Sequence, residues 1–237
     1  MMEKNLIGWQ KQPDKLNIQG TIEKAIEEIT GEEVDLTASG RTDRGVHALG
    51  QVANFKTNSN IPVEKIPIAL NTKLKKSIRI LSAEEVDEKF HSRLTCKKKT
   101  YRYIINNSEY GTAIYRNLET HIPMKLNIEK MKEAIKYFEG EHDFKAFKAS
   151  GTSSKSSVRT IYKADVIQKP NDRIYIELTG NGFLYNMVRI IVGTLVEVGI
   201  GKIEPKKIKE IIKSQKRENA GKTLPPQGLY LVKVEYE

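Results

Sequence analysis

The 237-residue chain has 38% hydrophobic and 30% charged residues, which is typical of a soluble globular protein of one large domain or two small ones. No apolar run approaches the roughly 20 residues of a membrane-spanning helix, and no export signal opens the chain. The single cysteine, Cys96, excludes an internal disulfide, so we expect a cytoplasmic protein. The formal net charge of +10 favours a polyanionic partner such as nucleic acid, although a solubilising surface charge has the same composition.

The first half of the chain alternates short helices with short strands. An apolar stripe at i, i+3, i+4 and i+7 predicts a helix that Thr21 caps and Gly31 ends. The proline-punctuated stretch 61–74 predicts a second, short helix. Alternating apolar positions predict strands over three stretches: 33–38, 50–57 and 77–82.

The second half repeats this order. Asn127 is placed to cap a helix that Gly140 stops, residues 183–199 predict the most apolar helix, and a short helix follows Pro205. Strands are predicted over 99–106, 160–168, 173–180 and 228–236, with a Pro170-Asn171-Asp172 turn between the second and the third.

The order of these elements predicts the fold class. The two halves meet near residues 95–105, and strands alternate with helices in both. We therefore expect an α+β protein of two related sheet-plus-helix units, residues 1–98 and 99–237. The small, polar stretch 148–157 predicts a mobile loop rather than a linker between domains.

Motifs for cofactors and metals are missing from the sequence. The four histidines show no metal-ligand spacing, and one cysteine cannot form a thiolate site. The GKT at 221–223 lacks the first glycine of a phosphate-binding loop, because Lys216 stands in its place. We expect neither a cofactor nor a metal.

The stretch ASGRTDRGVHALGQVANF, residues 38–55, places three charged side chains on a turn between Gly40 and Gly45. Asp43 lies there between Arg41 and Arg44. Taken alone, an aspartate that bonds its own turn and pairs with nearby arginines is the simpler interpretation.

The blocks around this turn change that interpretation, since they follow one another in a fixed order. They are GWQKQ (8–12), SGRTDRGVHALGQVANF (39–55), KTYRYII (99–105), GEHDFKAF (140–147), RTIY (159–162), GFLYNMVRIIVGTLVEVG (182–199) and GLYLV (228–232). Together they closely resemble the bacterial tRNA pseudouridine synthase A family over nearly the whole chain. The family pattern opens with a hydrophobic strand and Tyr-Asp-Gly, where this chain has MMEKNLI, so we expect that first strand to be missing or to be misassigned at the gene start.

The resemblance implies a reaction and a fold. The reaction is the isomerisation of uridine to pseudouridine at positions 38, 39 and 40 of the tRNA anticodon arm, without a cofactor. The fold is a pair of related ferredoxin-like units around a central, mostly antiparallel sheet, with a cleft between the units. The family acts as a homodimer on tRNA.

The resemblance also implies the site residues. Asp43 matches the catalytic aspartate, which serves as a nucleophile or as a base, and Arg189 matches an arginine that keeps this carboxylate charged. Tyr101 matches a tyrosine that stacks on the flipped uracil, and Leu229 an apolar residue on the other side of the base, where core packing is almost as good an interpretation. Arg41 is expected to contact RNA phosphates or to fill the gap left by the extruded base.

Lysine-rich stretches are candidates for RNA backbone contacts, although for any single lysine a solvated surface is the better interpretation. They are Lys97, Lys98 and Lys99, and then Lys145, Lys148, Lys155 and Arg159. His47 and His142 are predicted to pack or to hydrogen-bond locally. Two other function classes stay open at this point: an RNA-binding protein without catalysis, and a hydrolase that uses Asp43 on a small substrate.

Overall fold

The structure is a computed structural model that describes residues 8–12, 15–151, 154 and 156–236. The chain divides into two compact units. Unit 1 contains the described residues up to Val46 together with Gln51–Cys96, and unit 2 contains His47–Gly50 and the described residues from Lys97 onward. The predictions for the N-terminal MMEKNLI segment and for Lys155 lie outside the described residues.

Unit 1 is built around helix α1 (Ile18–Thr30) and a shorter helix, α2 (Ile66–Lys73). Asn17 caps α1 by accepting a hydrogen bond from the Gly20 N–H at 2.8 Å, so the helix begins before the predicted cap at Thr21. Gly31 ends α1 as predicted, because its φ of 75° lies in the left-handed region. The apolar side chains of the two helices form one core cluster with Trp9, Leu36, Leu74 and Ile78.

The predicted strands of the first half are mostly wrong. Residues 33–38 and 50–57 contribute only β1 (Thr37–Ala38) and β3 (Ala53–Asn54), which pair antiparallel, and 77–82 forms no strand. Side chains explain the difference. Asn71 bonds both the N–H and the C=O of Ile80, at 3.0 and 2.8 Å, and thereby takes the place of a neighbouring strand.

Unit 2 contains the main sheet. Its strands are β2 (His47–Ala48), β4 (Lys98–Asn106), β5 (Thr120–His121), β6 (Gly140–Asp143), β7 (Val158–Lys169), β8 (Arg173–Gly180) and β9 (Leu229–Glu235). Among the described residues they run in the order β2-β9-β4-β8-β7-β6, with β5 also beside β4. The β2–β9 and β4–β5 pairs are parallel and the others antiparallel, which confirms an α+β protein with a mostly antiparallel sheet.

The described residues of unit 2 form three α-helices: α3 (Ile128–Lys136), α4 (Met187–Gly199) and α5 (Lys207–Ser214). Asn127 caps α3 as predicted, by accepting from the Lys130 N–H at 3.0 Å. The most apolar helix, α4, begins at Met187 rather than at residue 183 and is buried along almost its whole length. No helix among the described residues has the length and apolar character to cross a membrane.

Candidate active site

In unit 1, Asp43 lies on a loop of residues 39–46, here called the Asp43 loop. Its first residue continues the β1–β3 pairing, because the Ser39 N–H donates to the Val52 carbonyl at 2.8 Å, and side chains add further contacts. The fully buried Ser39 donates its hydroxyl to Gln51 Oε1 at 2.6 Å, and the Gln51 amide donates to the Gly40 carbonyl at 2.9 Å. These polar contacts fix the backbone that leads to Asp43.

The GWQ block holds the other side of this loop. The Trp9 N–H donates to the Thr42 carbonyl at 3.0 Å, while the Gly8 carbonyl accepts from the Ile18 N–H of α1 at 3.1 Å. A Cβ on Gly8 would lie 2.7 Å from the Thr42 oxygen and 3.1 Å from the Asp43 carbonyl carbon, and the φ of Gly8 is +94°. Only glycine fits this contact without moving the Asp43 loop.

Asp43 itself is half-buried, whereas Arg41 and Arg44 are exposed. The Asp43 carbonyl accepts from the Val46 N–H at 3.0 Å, and Gly45 takes a φ of 83°, so the loop closes as a tight turn. The sequence prediction of an aspartate on a glycine-bounded turn is confirmed. A half-buried carboxylate on a fixed turn is suited to act as a nucleophile or as a general base.

In unit 2, Tyr101 lies on β4 between Leu178 of β8 and Leu231 of β9. Its half-buried ring meets the Phe183 ring edge to face, with 5.2 Å between centroids and 80° between planes. Contact with Phe183 restrains the orientation of the Tyr101 ring.

Tyr103, two residues along β4, is fully buried, as the sequence predicted for a core tyrosine. Its hydroxyl lies 2.6 Å from Thr120 Oγ1 and donates to the Pro225 carbonyl at 2.7 Å. Burial raises the pKa of Tyr103 far above its ordinary value, against the opposing effects of the Thr120 hydrogen bond and the Arg189 charge. Tyr103 is therefore neutral over the physiological pH range and has a structural role.

Arg189 lies on α4 and is half-buried between the buried residues Val188 and Ile190. Its Nε donates to the Leu224 carbonyl at 2.6 Å, and its Nη1 donates to Asn186 Oδ1 at 2.7 Å. The guanidinium thus has defined partners within unit 2 and is not a fully solvated helix residue.

Leu229 lies on β9 opposite Tyr103 and is only 7% exposed. Its side chain is therefore almost completely buried in unit 2. His47 and His142 make the local contacts that were predicted. His47 stacks on Tyr230 and donates to the Asn117 carbonyl, while burial lowers its pKa, and His142 donates to the Glu139 carbonyl.

Three residues that support the site were not singled out from the sequence: Phe183, Asn186 and the carbonyl of Leu224. Phe183 and Asn186 stand in the GFLYNMVR block, so a pattern signal existed for them. Leu224 acts through its backbone, for which a sequence has no signal. Across the residues that the structure describes, no three His, Cys, Asp or Glu side chains gather as a metal site would require.

Comparison with known proteins identifies the family of this chain. The sequence model described as tRNA pseudouridine synthase matches residues 5–94 and 134–237, and both ranges contain residues of the candidate site. The chain belongs to the tRNA pseudouridine synthase family.

Relatives of this family are similar over almost their whole length. A tRNA pseudouridine synthase A of Thermoanaerobacter sp. is 53% identical over 232 residues, covering 98% of this chain and 95% of that protein. A tRNA pseudouridine synthase A of Acetivibrio thermocellus is 54% identical over 233 residues, with the same coverage. Among solved structures, a Cbf5-Nop10-Gar1 complex is 14% identical with a TM-score of 0.37, over 82% of this chain and 54% of that chain, a likeness too low to describe this fold.

Proposed function

We propose that the chain is a tRNA pseudouridine synthase that isomerises uridine to pseudouridine at positions 38, 39 and 40 of the anticodon arm. The observation that carries this proposal is the family match, which spans most of the chain and includes the Asp43 loop. The identity above 50% with synthases named for tRNA supports tRNA as the substrate class.

The isomerisation rearranges bonds within a single nucleotide. The bond between N1 of uracil and C1′ of ribose breaks, the base turns, and C5 bonds to C1′. The C5 proton leaves and N1 takes up a proton, so no atom is gained or lost and no electron is transferred. One ionised carboxylate in a site shielded from water is sufficient for this chemistry.

Asp43 supplies this carboxylate. Three routes start from it: attack on C1′, attack on C6 of the uracil, or removal of the C2′ proton, in which uracil leaves C1′ and a glycal is formed. All three routes require that the carboxylate keep its position and its charge. The contacts of Ser39, Gln51 and Gly8 maintain its position.

Residues of unit 2 take part in the same reaction. Tyr101 stacks on the flipped uracil, and its hydroxyl is placed to assist proton transfer at C5. Flipping costs a few kcal/mol, which contacts between the protein and the rest of the tRNA offset. Arg189 stabilises the ionised form of Asp43, Arg41 contacts phosphates or fills the gap left by the base, and Leu229 bounds the base pocket.

The wider proposal covers recognition and assembly. A-form RNA hides its base edges, so the enzyme recognises tRNA mainly by shape and backbone, which suits three adjacent targets. We propose a cytoplasmic homodimer whose subunits consist of two related ferredoxin-like units with a cleft between them. The charge of +10 supports electrostatic attraction of tRNA.

The test is to incubate the purified chain with an unmodified tRNA transcript that carries uridine at 38, 39 and 40, and to map pseudouridine nucleotide by nucleotide. We expect modification at these three positions, and none when the transcript carries cytidine there. Tight, salt-sensitive binding without modification would contradict the proposal and indicate an RNA-binding protein. Release of free uracil would indicate a hydrolase.

A further inference from the structure

Asn186 directly precedes α4 and has an unusual backbone for that position. Its φ of 60° and ψ of 6° lie in the left-handed region, which asparagine tolerates better than most residues do. An asparagine that caps a helix normally has an extended backbone and accepts from an N–H of the first turn. The Asn186 side chain makes no such capping bond. Instead, its Oδ1 accepts from Arg189 Nη1 at 2.7 Å.

The second acceptor for Arg189 is the Leu224 carbonyl. Contacts that do not involve Asn186 hold the backbone around it. The backbone of residues 221–224 lies directly against α4, where a Cβ on Gly193 would collide with the Lys222 carbonyl oxygen. The Gly221 N–H donates to Thr194 Oγ1 at 2.9 Å, and the Pro225 carbonyl accepts from the Tyr103 hydroxyl at 2.7 Å. Both sides of Leu224 are therefore anchored to buried residues.

Two fixed acceptors orient a planar guanidinium. Arginine has several rotatable bonds, and hydrogen bonds at two of its nitrogens remove most of that freedom. Both acceptors are neutral, one an amide and the other a backbone carbonyl. These contacts therefore aim the cation without cancelling its charge, which a carboxylate at position 186 would do.

We propose that Asn186 is a positioning residue, which holds the Arg189 guanidinium in the orientation that the isomerisation uses. This inference rests on the proposed function, in which Arg189 stabilises the catalytic carboxylate. If Asn186 served only to let the chain turn before α4, its substitutions would have a different effect on activity. Glycine and aspartate both tolerate a left-handed backbone, so a structural asparagine would be replaceable by either.

The experiment compares Asn186→Gly and Asn186→Asp in single-turnover pseudouridine formation, with tRNA affinity measured alongside. Asn186→Gly keeps the backbone but loses the acceptor, and Asn186→Asp keeps the acceptor but neutralises the cation. We expect each to slow the chemical step about tenfold or more and to change the tRNA Kd less than about twofold, because misplacing a reacting group acts on the chemical step. Asn171→Gly is the matched control, since Asn171 has a φ of 59° in the β7–β8 turn, and it should retain full activity.

A second measurement places Asn186→Gly in an Arg189→Lys background, where the paired guanidinium is gone. If Asn186 acts through Arg189, the substitution should now change the rate less than about twofold. A rate for Asn186→Gly within about twofold of wild type, or the same fold-loss in both backgrounds, overturns the inference. Failure of the wild-type chain to form any pseudouridine would instead defeat the proposed function, and the inference with it.

Discussion

The Asp43 loop of unit 1 and the Tyr101 and Arg189 region of unit 2 are held in different ways. Individual polar contacts and one glycine contact hold the loop, and the strands beside it in the described part of the chain, β1, β2 and β3, have two residues each. Tyr101 lies on a nine-residue strand with partners on both sides, and Arg189 on a helix that is buried almost throughout. Substitutions in the loop should therefore reduce activity before stability, and substitutions of buried residues of unit 2 outside the candidate site should do the reverse.

The largest effect on stability is expected for Glu119→Ala in unit 2. The buried Glu119 carboxylate accepts from Asn106 Nδ2 at 2.6 Å and from Arg173 Nε at 2.7 Å. Its loss leaves Arg173 without this partner and should lower the free energy of unfolding by about 3 kcal/mol. Denaturant unfolding measures this, and the folded fraction should keep its activity.

Glu177→Ala is the control for that change, since it breaks the partly exposed Arg102–Glu177 pair. This pair should contribute less than about 1 kcal/mol. If the two variants lose the same free energy of unfolding, burial does not determine how much these ion pairs contribute to stability.

Gly8→Ala should lower activity rather than stability, in contrast to Glu119→Ala. The new Cβ would meet the Thr42 carbonyl oxygen and displace the Asp43 loop, so we expect about a hundredfold loss of pseudouridine formation. Gly31→Ala is the matched control, because Gly31 also has a positive φ but nothing lies within 4 Å of its Cβ position. If the two variants have equal activity, the close contact at Gly8 does not position Asp43.

Two substitutions of Tyr101 distinguish the contribution of its ring from that of its hydroxyl. Stacking on a base is worth about 1–3 kcal/mol, so Tyr101→Leu should slow the reaction by about thirtyfold or more. Tyr101→Phe keeps the ring and its contact with Phe183, and should lose less, about tenfold, from the missing proton transfer. Equal rates for the two variants in a single-turnover assay would argue against stacking.

The smallest effect is expected for Lys98→Gln. Lys98 is exposed on β4, with its Nζ 5.6 Å from the centre of the Tyr162 ring. Loss of one phosphate contact should weaken tRNA binding a few-fold and reduce the slope of log K against log salt by about 1. Lys132→Gln, which removes an exposed partner of Glu129, should leave the slope unchanged.

The same contrast explains how much of the fold could be predicted. Residues 99–106 and 173–180 were predicted as strands almost as they stand, because long ladders impose a regular alternation of apolar residues. In unit 1, Glu23 accepts from the Leu36 N–H and Asn71 bonds the backbone of Ile80, over 13 and 9 residues. Alternation carries no signal for such contacts, so strands were predicted where side chains satisfy the backbone.

The residues of the candidate site also differ in how far the sequence predicts them. Asp43, Tyr101 and Arg189 stand in dense sequence blocks and could be named from them. Asn186 stands in the same block as Arg189, but the block does not indicate its role, because that role depends on a left-handed backbone and on a contact that replaces ordinary capping. Leu224 contributes a carbonyl oxygen, which every residue has, and only the close approach of 221–224 to α4 makes it specific.

The most direct test of the account is the chemical step of Asp43→Asn on a tRNA with tritium at C5 of its uridines, with tRNA affinity measured in the same samples. The amide is neither a base nor an effective nucleophile, so tritium release should fall at least about a thousandfold while the Kd stays within about twofold. Asp172→Asn, the same change in the exposed β7–β8 turn, should release tritium at the wild-type rate. Release by Asp43→Asn within tenfold of wild type would contradict the assignment of Asp43 as the catalytic group.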